Sequence, residues 1–427
     1  MMQTRRTFLN RFLASTSTVM MPSFFHTAQG KSLAQLLANN KGQDLTHDED
    51  FWYLIQQAYT VAPSIINLNN GGVSPQPLVV QEAVERYNRL SNEAPSYYMW
   101  RILDMGREPL RMKLADVAGC SPDELAINRN ATEALETIIF GLRLKAGDEV
   151  VLTKYDYPNM INAWKQREKR DGIILKWLDF TLPLEDEDEI TSIFTNAFTA
   201  KTKVVHITHI INWTGQILPA QRIASEAKER GIEVLIDAAH SFAHLDYTIP
   251  SLDCDYFGTS LHKWMSAPFG SGLLYVKKEK IKQLYPLFGA PDPESEDIRK
   301  FENLGTRSFA IEQAIGQAVN FHEMIGSKRK EQRLRYLKNY WLEKVLDMPN
   351  TYTHTSLKDD FSCALALVGV KDRKPEELAN FLFNQFKIHT VAIDWENVHG
   401  VRITPNVYTT IKDLDRLVKA FAMFCES

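Results

Sequence analysis

Residues 232–264 read IEVLIDAAHSFAHLDYTIPSLDCDYFGTSLHKW. An apolar run ends at Asp237, and a second short apolar piece, CDYFG, leads to Lys263. In open α/β sheets, ligands bind beyond the carboxyl ends of the strands, so polar residues that follow apolar runs are candidate site residues. This stretch therefore predicts a carboxylate and an amine that can reach the same edge of one sheet.

The flanking sequence alternates between strand-like and helix-like segments. The runs DEVVLTKYDYP, IILKWLDF, KTKVVHITHI and FGSGLLYVKK read as strands, and ATEALETIIFGLRL, MINAWKQREKRDG and QRIASEAKERG have helical periodicity. Apolar strands that alternate with helices predict an α/β fold with a mostly parallel sheet covered on both faces.

We expect four parts along the chain. Residues 1–30 form a signal peptide, and residues 31–85 form an N-terminal segment that packs with a small domain. Residues 86–325 form the large domain and residues 326–427 the small α+β domain, because the chain becomes helical and basic near residue 320 and then alternates strand and helix again.

Composition excludes several function classes. The 427 residues carry a net charge of −4, and no basic cluster with interleaved aromatic residues is present. This argues against nucleic acid and anionic membrane surfaces as partners. The four cysteines lie far apart without a CxxC pair, so no metal site is expected and no disulfide can be assigned.

The N-terminus resembles a twin-arginine (Tat) export signal. Arg5 and Arg6 precede a moderately apolar stretch, and residues 28–30 (AQG) offer a small-residue cleavage site. The sequence therefore predicts a periplasmic protein delivered by the Tat machinery, with a cytoplasmic protein as the alternative. No other segment has the roughly 18 apolar residues that span a bilayer, so we expect no membrane association of the mature protein.

The amine and the acid together favour pyridoxal phosphate (PLP). An amine that can form an imine, near an acid that can pair with a protonated pyridine nitrogen, is what this cofactor requires. A phosphate could bind the helix start in NRNATEAL, where backbone N–H groups and the helix dipole favour an anion. The alternatives are a plain N-cap and a solvated surface lysine. The predicted phosphate ligands are Asn130, Ala131, Thr132, Ser260 and His262.

Four motifs in order carry a family resemblance. NATEAL, THIINWTGQILP, IDAAHSFAH and SLHKW resemble the class-V aminotransferase family of PLP-dependent enzymes, and the resemblance runs from about Asn67 to the C-terminus. It implies the fold of type I PLP-dependent transferases, with a large PLP-binding domain. The segments NLNNGGVSPQP and GTRS are most similar to members described as isopenicillin N epimerase-like.

The resemblance implies roles around the cofactor ring. Lys263 would form the imine and then move the Cα proton of the substrate, and Asp237 would keep the ring nitrogen protonated. His240 would lie close to that acid and the ring, and Asn212 would bond the ring hydroxyl. Tyr157 falls where many relatives have a stacked histidine, and a tyrosine ring can also stack.

The resemblance also implies residues for the substrate and for a second subunit. Arg402 would bind the α-carboxylate, a task that suits a bidentate guanidinium. Asn70 and Gly71 would border the substrate, an amino-acid-type small molecule. Thr306 would reach the cofactor phosphate of the neighbouring subunit, which implies a homodimer with shared active sites.

The type of reaction is less constrained. A cysteine desulfurase needs a mobile nucleophilic cysteine, but FKIHTVAIDWENVHG before Arg402 has none, and Cys363 lies in an apolar run. We therefore expect an aminotransferase or an epimerase acting on an amino acid or on the amino-acid part of a peptide or secondary metabolite. A PLP-dependent lyase or desulfurase-like enzyme is the alternative. A periplasmic solute-binding protein is the alternative outside enzymes, and a dinucleotide-dependent dehydrogenase lacks its GxGxxG signature.

Overall fold

The structure, a computed structural model, describes residues 44–426. The predicted export signal in residues 1–30 lies outside this range. In the described part, no helix combines the length and the apolar character that crossing a membrane requires.

The described residues contain eleven helices of eight or more residues and thirteen β-strands, joined by loops and shorter helical turns. The helices are α1 (Glu49–Gln56), α2 (Leu78–Glu93), α3 (Arg107–Ala118), α4 (Ala131–Gly141), α5 (Pro158–Asp171), α6 (Glu187–Asn196), α7 (Ala220–Glu229), α8 (Phe309–Ile325), α9 (Ser327–Leu346), α10 (Pro375–Phe386) and α11 (Ile411–Cys425). The strands are β1 (Ile66–Asn67), β2 (Leu125–Asn128), β3 (Glu149–Thr153), β4 (Ile174–Leu178), β5 (Thr202–Thr208), β6 (Glu233–Asp237), β7 (Tyr256–Ser260), β8 (Gly272–Val276), β9 (Thr351–Thr353), β10 (Ala366–Val370), β11 (Ile388–His389), β12 (Val391–Trp395) and β13 (Val398–Ile403).

A seven-stranded sheet forms the centre of the fold, in the order β2-β8-β7-β6-β5-β3-β4. The pairs from β7 through β6, β5 and β3 to β4 are parallel, and β8 runs antiparallel to both of its neighbours. Most strand residues are buried, as expected for a sheet with helices on both faces. The predicted α/β fold with a mostly parallel sheet is confirmed.

The register of the sheet brings several polar residues to one edge. Thr208 pairs with Asp237, and Asp237 pairs with Gly258, so the carboxyl ends of β5, β6 and β7 lie side by side. Gly258 permits close packing of α4, because a Cβ there would lie 2.8 Å from a side-chain carbon of Leu135. The start of α4 is thereby held against the strand that precedes Lys263.

The region 321–346 is helical, as predicted, and it is divided between two helices. Helix α8 ends at Ile325 and α9 begins at Ser327, because Gly326 has a positive φ of 88° that stops the helix. Three basic residues of α9, Lys330, Arg333 and Lys338, are buried. Their long side chains reach backbone carbonyls, a serine hydroxyl and Glu49.

A second sheet lies toward the C-terminus. It is antiparallel, with the order β12-β13-β10-β9, and β1 pairs separately with β11 in parallel. A hydrophobic core joins this sheet to α9, α10 and α11, with Trp341, Leu382 and Phe421 among its buried members. The predicted domain boundaries stay a prediction.

Candidate active site

Asp237 is the last residue of β6 and is only 4% exposed. Its Oδ1 accepts a hydrogen bond of 2.9 Å from the backbone N–H of Ala239. Burial raises the pKa of the Asp237 carboxyl, while nearby His206 and Lys263 act in the opposite direction. A buried acid of this kind is stabilised in its ionised form when a cation binds beside it.

Lys263 follows β7 by three residues and is partly buried. Its Nζ lies 3.1 Å from Nε2 of His240. Burial lowers the pKa of this amine to about 8; Arg402 lowers it as well, while the charge of Asp237 partly restores it. The sheet thus brings the predicted lysine and acid within electrostatic reach, and the amine is partly neutral near pH 8.

His240 is buried beside Lys263, and burial together with that ammonium lowers the pKa of its imidazole well below the usual range. A lysine ammonium can only donate, so Nε2 of the neutral ring accepts and the proton lies on Nδ1. Nδ1 is itself buried without a hydrogen-bond partner among the residues described. This ring can therefore donate one further bond to a ligand.

The predicted phosphate ligands meet at the start of α4. Asn130 caps the helix, with its Oδ1 accepting from the N–H of Glu133 at 2.8 Å, and Ser260 Oγ accepts from the N–H of Ala131 at 2.9 Å. The backbone of Asn130 lies close to Gly272, because a Cβ on Gly272 would be 2.6 Å from the backbone nitrogen of Asn130. Thr132 follows in the first turn.

His262 lies on the other side of Ser260. Its Nδ1 contacts the carbonyl of Ser271 at 3.0 Å and so carries a proton. Burial lowers the pKa of this imidazole, as does the neighbouring Lys263. The neutral ring is therefore oriented by the backbone, and Nε2 is left for another contact.

Arg402 in β13 extends from the second sheet toward these residues. Its Nη1 donates to the backbone carbonyl of Asn212 at 2.8 Å, and Nη2 donates to Oδ1 of Asn69 at 3.0 Å. Burial lowers the pKa of the guanidinium to about 10, and nearby Tyr157 raises it. Sequence reasoning missed Asn69, although the motif NLNNGG contains it.

The loop around Asn70 has two separate functions in the structure. The Asn70 amide is fully buried, donates to the carbonyl of Thr404 at 2.8 Å and accepts from the Tyr408 hydroxyl at 2.6 Å. Gly71 lies closer to the site, since a Cβ there would be 3.4 Å from Cε1 of His240. Asn70 therefore holds the loop, and the missing side chain of Gly71 leaves room beside His240.

Two predicted residues lie further out. Tyr157 is 43% exposed at the start of α5, and its charge interaction with Arg402 places it near the other site residues. Thr306 is exposed and lines a cavity of about 250 Å³ together with Arg129 and Gly270. Thr306 is the one predicted site residue among those that line this cavity.

Buried residues that the sequence analysis did not assign surround the site. Asp156 accepts from Thr208 Oγ1 at 2.7 Å, and burial raises the pKa of its carboxyl to about 6. His244 lies in the quoted motif IDAAHSFAH, four residues after His240, in a stretch that forms turns and no helix, so its spacing was no signal of a role.

The donors and acceptors present fit PLP. Several buried polar atoms lack a hydrogen-bond partner among the described residues, and leaving such an atom unsatisfied costs about 1–3 kcal/mol. At the site, these atoms include Asn212 Oδ1, His240 Nδ1 and Arg402 Nε. A polar ligand with a ring nitrogen, a hydroxyl and a phosphate would find a buried acid, unsatisfied polar groups and a helix start in one place.

Comparisons with known proteins agree with this geometry. The family model "Aminotransferase class-V" matches residues 66–417. Isopenicillin N epimerase from Streptomyces clavuligerus is 28% identical over 84% of this chain and 94% of that protein. A probable cysteine desulfurase from Synechocystis sp. is 31% identical over 61% of this chain and 65% of that protein.

A solved structure extends the comparison to the fold. A mutant of C-DES, with glycine covalently linked to its PLP cofactor, superposes with a TM-score of 0.78 at 20% identity, over 86% of this chain and 98% of that chain. The predicted fold of type I PLP-dependent transferases is confirmed, and so are the predictions of an enzyme and of PLP as the cofactor. With a family model that spans most of its length, the chain belongs to the class-V aminotransferase family of PLP-dependent enzymes.

Proposed function

We propose that this enzyme transfers the Cα proton of an amino acid, or of the amino-acid part of a peptide or secondary metabolite, in an epimerisation or an amino transfer. The observation that carries the proposal is the 3.1 Å contact between Lys263 Nζ and His240 Nε2, near Asp237 and Arg402. An amine with a pKa of about 8 is suited to accept and return a proton near neutral pH.

Each side chain has a separate task in this proposal. When bound, PLP supplies an aldehyde for the covalent bond and a ring that takes up the electrons of a broken Cα bond. Asp237 holds a proton on the ring nitrogen by its negative charge. Arg402 binds the substrate carboxylate. Lys263 accepts the proton from Cα and returns it. His240 accepts a hydrogen bond from Lys263 and so orients the amine.

The similarity to isopenicillin N epimerase supports epimerisation of an amino-acid centre within a peptide-like substrate. The Streptomyces clavuligerus enzyme aligns with this chain over 94% of its own length. A second isopenicillin N epimerase, from Amycolatopsis lactamdurans, is 26% identical over 86% of this chain and 97% of that protein. Epimerisation and amino transfer both begin with removal of the Cα proton, and they differ in the carbon to which the proton returns.

Desulfuration fits the geometry less well. Cys363 is buried, its Sγ lies 3.8 Å from the carbonyl of Glu331, and burial raises the pKa of the thiol to about 12. A thiol in this state is a poor nucleophile. All four cysteines lie within the described residues, and burial raises the pKa of each of their thiols.

The turn between β12 and β13 provides a second argument. It contains no cysteine, and it is fixed to the large sheet by a bond of 2.9 Å from Trp395 Nε1 to the carbonyl of Lys154. The Asn397 amide oxygen accepts from the Tyr155 hydroxyl at 3.0 Å, and Trp395 stacks on Trp213 with ring centroids 5.2 Å apart. A turn held in this way does not supply the mobile thiol that desulfuration needs.

Two further parts of the proposal concern assembly and location. The exposed position of Thr306, at a cavity outside the Lys263 cluster, supports a homodimer in which this residue serves the partner's cofactor phosphate. The paired Arg5 and Arg6 support Tat-dependent export to the periplasm. Size-exclusion chromatography with light scattering, and fractionation of the native host, test these two parts.

The main test is the visible absorption spectrum of the purified protein beside that of Lys263→Ala. A yellow absorption band in the wild type, and a cofactor adduct on Lys263 after borohydride reduction of the imine, support the cofactor site. The variant should give no adduct at this position. Candidate amino acids and peptides are then incubated with the enzyme in D₂O. Deuterium at Cα with inversion supports epimerisation, and a keto acid formed only with an amino acceptor supports amino transfer.

Two outcomes would overturn the proposal. A protein that takes up no PLP on reconstitution would contradict the site assignment. Release of ammonia or of a sulfur leaving group without an acceptor would assign lyase chemistry instead.

A further inference from the structure

His244 uses both ring nitrogens in the protein interior, where only 1% of its surface is exposed. Its Nδ1 lies 2.7 Å from the backbone carbonyl of His240. Its Nε2 lies 3.0 Å from the backbone nitrogen of Ala364. One imidazole therefore connects the turn that carries His240 with a segment 120 residues further along the chain.

The two contacts fix the tautomer of His244. The N–H of Ala364 can only donate, so Nε2 accepts, and Nδ1 carries the proton that is donated to the His240 carbonyl. Burial lowers the pKa of this imidazole to about 3; the charges of Arg335 and Lys330 act in the same direction, and the hydrogen bond to the His240 carbonyl acts against them. The ring stays neutral over the working range of an enzyme, and both of its hydrogen bonds persist.

The face of the His244 ring contacts the residue after the lysine. The rings of His244 and Trp264 are stacked, with centroids 3.8 Å apart and planes inclined by 18°. The carbonyl of Trp264 accepts a hydrogen bond from the buried ammonium of Lys330 in α9. His244 therefore supports the backbone of His240 through a hydrogen bond and that of Lys263 through the adjacent indole.

The other end of the connection leads to the strand of Arg402. Ala364 lies two residues before β10, and β10 pairs with β13 so that Leu367 is opposite Arg402. The imidazole thus links the Lys263–His240 pair on the large sheet to the sheet that carries the predicted carboxylate ligand. A change in this link would alter the distance between the proton-carrying amine and the guanidinium.

We propose that His244 is a positioning residue, which holds the Lys263–His240 pair at a fixed place relative to Arg402 through its two hydrogen bonds and its stack on Trp264. The inference rests on the proposed function for its effect on catalysis. Misplacement of reacting groups by about 1 Å can cost a factor of about 100 in rate. We therefore expect variants of His244 to lose kcat by about 10- to 100-fold, with KM changed less.

The first experiment measures the pKa of Lys263 in the cofactor-free protein. This pKa is obtained from the pH dependence of the rate at which Lys263 is acetylated, and mass spectrometry quantifies the acetylated lysine. In His244→Phe, which keeps a ring for stacking but loses both hydrogen bonds, the imidazole of His240 is no longer held as an acceptor for the ammonium. We expect the pKa of Lys263 to fall by about one unit, because the charged form loses a hydrogen bond.

The conservative variants separate the two hydrogen bonds. His244→Asn keeps a donor near the Nδ1 position, and His244→Gln keeps an acceptor near the Nε2 position. We expect the asparagine variant to retain more of the wild-type pKa of Lys263, since it preserves the bond to His240. These variants also serve if His244→Phe does not fold.

His354→Phe is the matched control. His354 also contacts a backbone carbonyl through Nδ1, that of Leu182 at 3.2 Å, and packs edge-on against Tyr352. A general loss of stability would follow from either substitution, whereas only His244→Phe should move the pKa of Lys263. An unchanged pKa of Lys263 in the His244 variants, or an equal shift in His354→Phe, would overturn the inference.

The same readout separates this inference from the proposed function. If the wild-type enzyme exchanges no Cα proton with any substrate, the proposed function fails, but the pKa of Lys263 in the cofactor-free protein still decides the role of His244. If exchange occurs at equal rates in the wild type and in folded His244 variants, the inference fails and the proposed function stands.

Discussion

The amine of Lys263 lies 3.1 Å from Nε2 of His240, although the two residues are 23 positions apart in the chain. The contact arises because β6 and β7 are parallel neighbours, so that the residues after both strands meet at one edge of the sheet. Burial at this edge lowers the pKa of the amine to about 8 and keeps the imidazole neutral. The reactivity of the lysine follows from this environment.

The first prediction concerns the pH dependence of imine formation. With a pKa of about 8, roughly one tenth of Lys263 is neutral at pH 7, far more than for an ordinary lysine with a pKa of about 10.4. Only the neutral amine attacks an aldehyde. The rate at which cofactor-free protein binds PLP should therefore rise between pH 7 and pH 9 with a midpoint near 8, measured by stopped-flow absorbance. A midpoint above 10 would contradict the buried environment.

Asp237→Asn should lower kcat by about 100- to 1,000-fold, because the neutral amide no longer holds a proton on the ring nitrogen by its charge. The amide oxygen can still accept the bond from Ala239, so the fold should persist. Steady-state kinetics and circular dichroism check both expectations. Asp255→Asn is the control, since this buried carboxyl also accepts a backbone hydrogen bond, from Val234 at 2.9 Å, but lies at the amino end of β7, and the variant should retain most of the activity.

Arg402→Lys should raise KM by about 10- to 100-fold and change kcat less. Lysine keeps the charge but cannot form the bidentate pair with a carboxylate, and a hydrogen bond between charged groups contributes about 1.5–3 kcal/mol. The comparison is between substrates with a free α-carboxylate and their amides. Equal KM values for acid and amide in the wild type would show that Arg402 does not bind this group.

Gly71→Ala should reduce the catalytic activity while it changes the thermal unfolding temperature little. The added methyl would lie 3.1 Å from Cγ2 of Thr404 and 3.4 Å from Cε1 of His240, so the loop or the imidazole must shift. Gly72→Ala is the matched control, because Gly72 is exposed and its new methyl would meet only the Asn69 side chain and carbonyl, at 3.4 Å or more. Kinetic constants and thermal unfolding of both variants provide the test, and similar activity in the two would contradict it.

Cys363→Ala should leave the reaction rate within about twofold of wild type, since the buried thiol takes no part in the proposed chemistry. A modest loss of stability of about 1 kcal/mol is expected from the small cavity. Assays for sulfide and for protein-bound persulfide accompany the kinetics. If the wild type releases sulfide from cysteine and the Cys363→Ala variant does not, the result would favour a desulfurase.

Much of the fold was predictable because its signals are local. The apolar runs around Val151, Val205 and Leu235 became buried strands, and the helical patterns between them became helices that cover the sheet. Gly326 shows the limit of this reasoning. The sequence around it is rich in helix formers, and the interruption depends on one backbone conformation with a φ of 88°.

The candidate site was predictable to the extent that its residues lie in recognisable motifs. Lys263, Asp237 and His240 come from such motifs, and the structure brings them together. Asn69 and His244 were missed because each depends on a partner far along the chain, Arg402 in one case and Ala364 in the other. Spacing within a short motif contains no information about contacts of that kind.

The sequence by itself determined the α/β class, the family and the chemical types that meet at the site, since strand and helix periodicity and short motifs are properties of neighbouring residues. Only the tertiary structure decided the electrostatic state of those groups. The pKa of about 8 for Lys263, the raised pKa of Asp237 and the neutral rings of His240 and His244 all result from burial and from charges brought close by the register of separate strands.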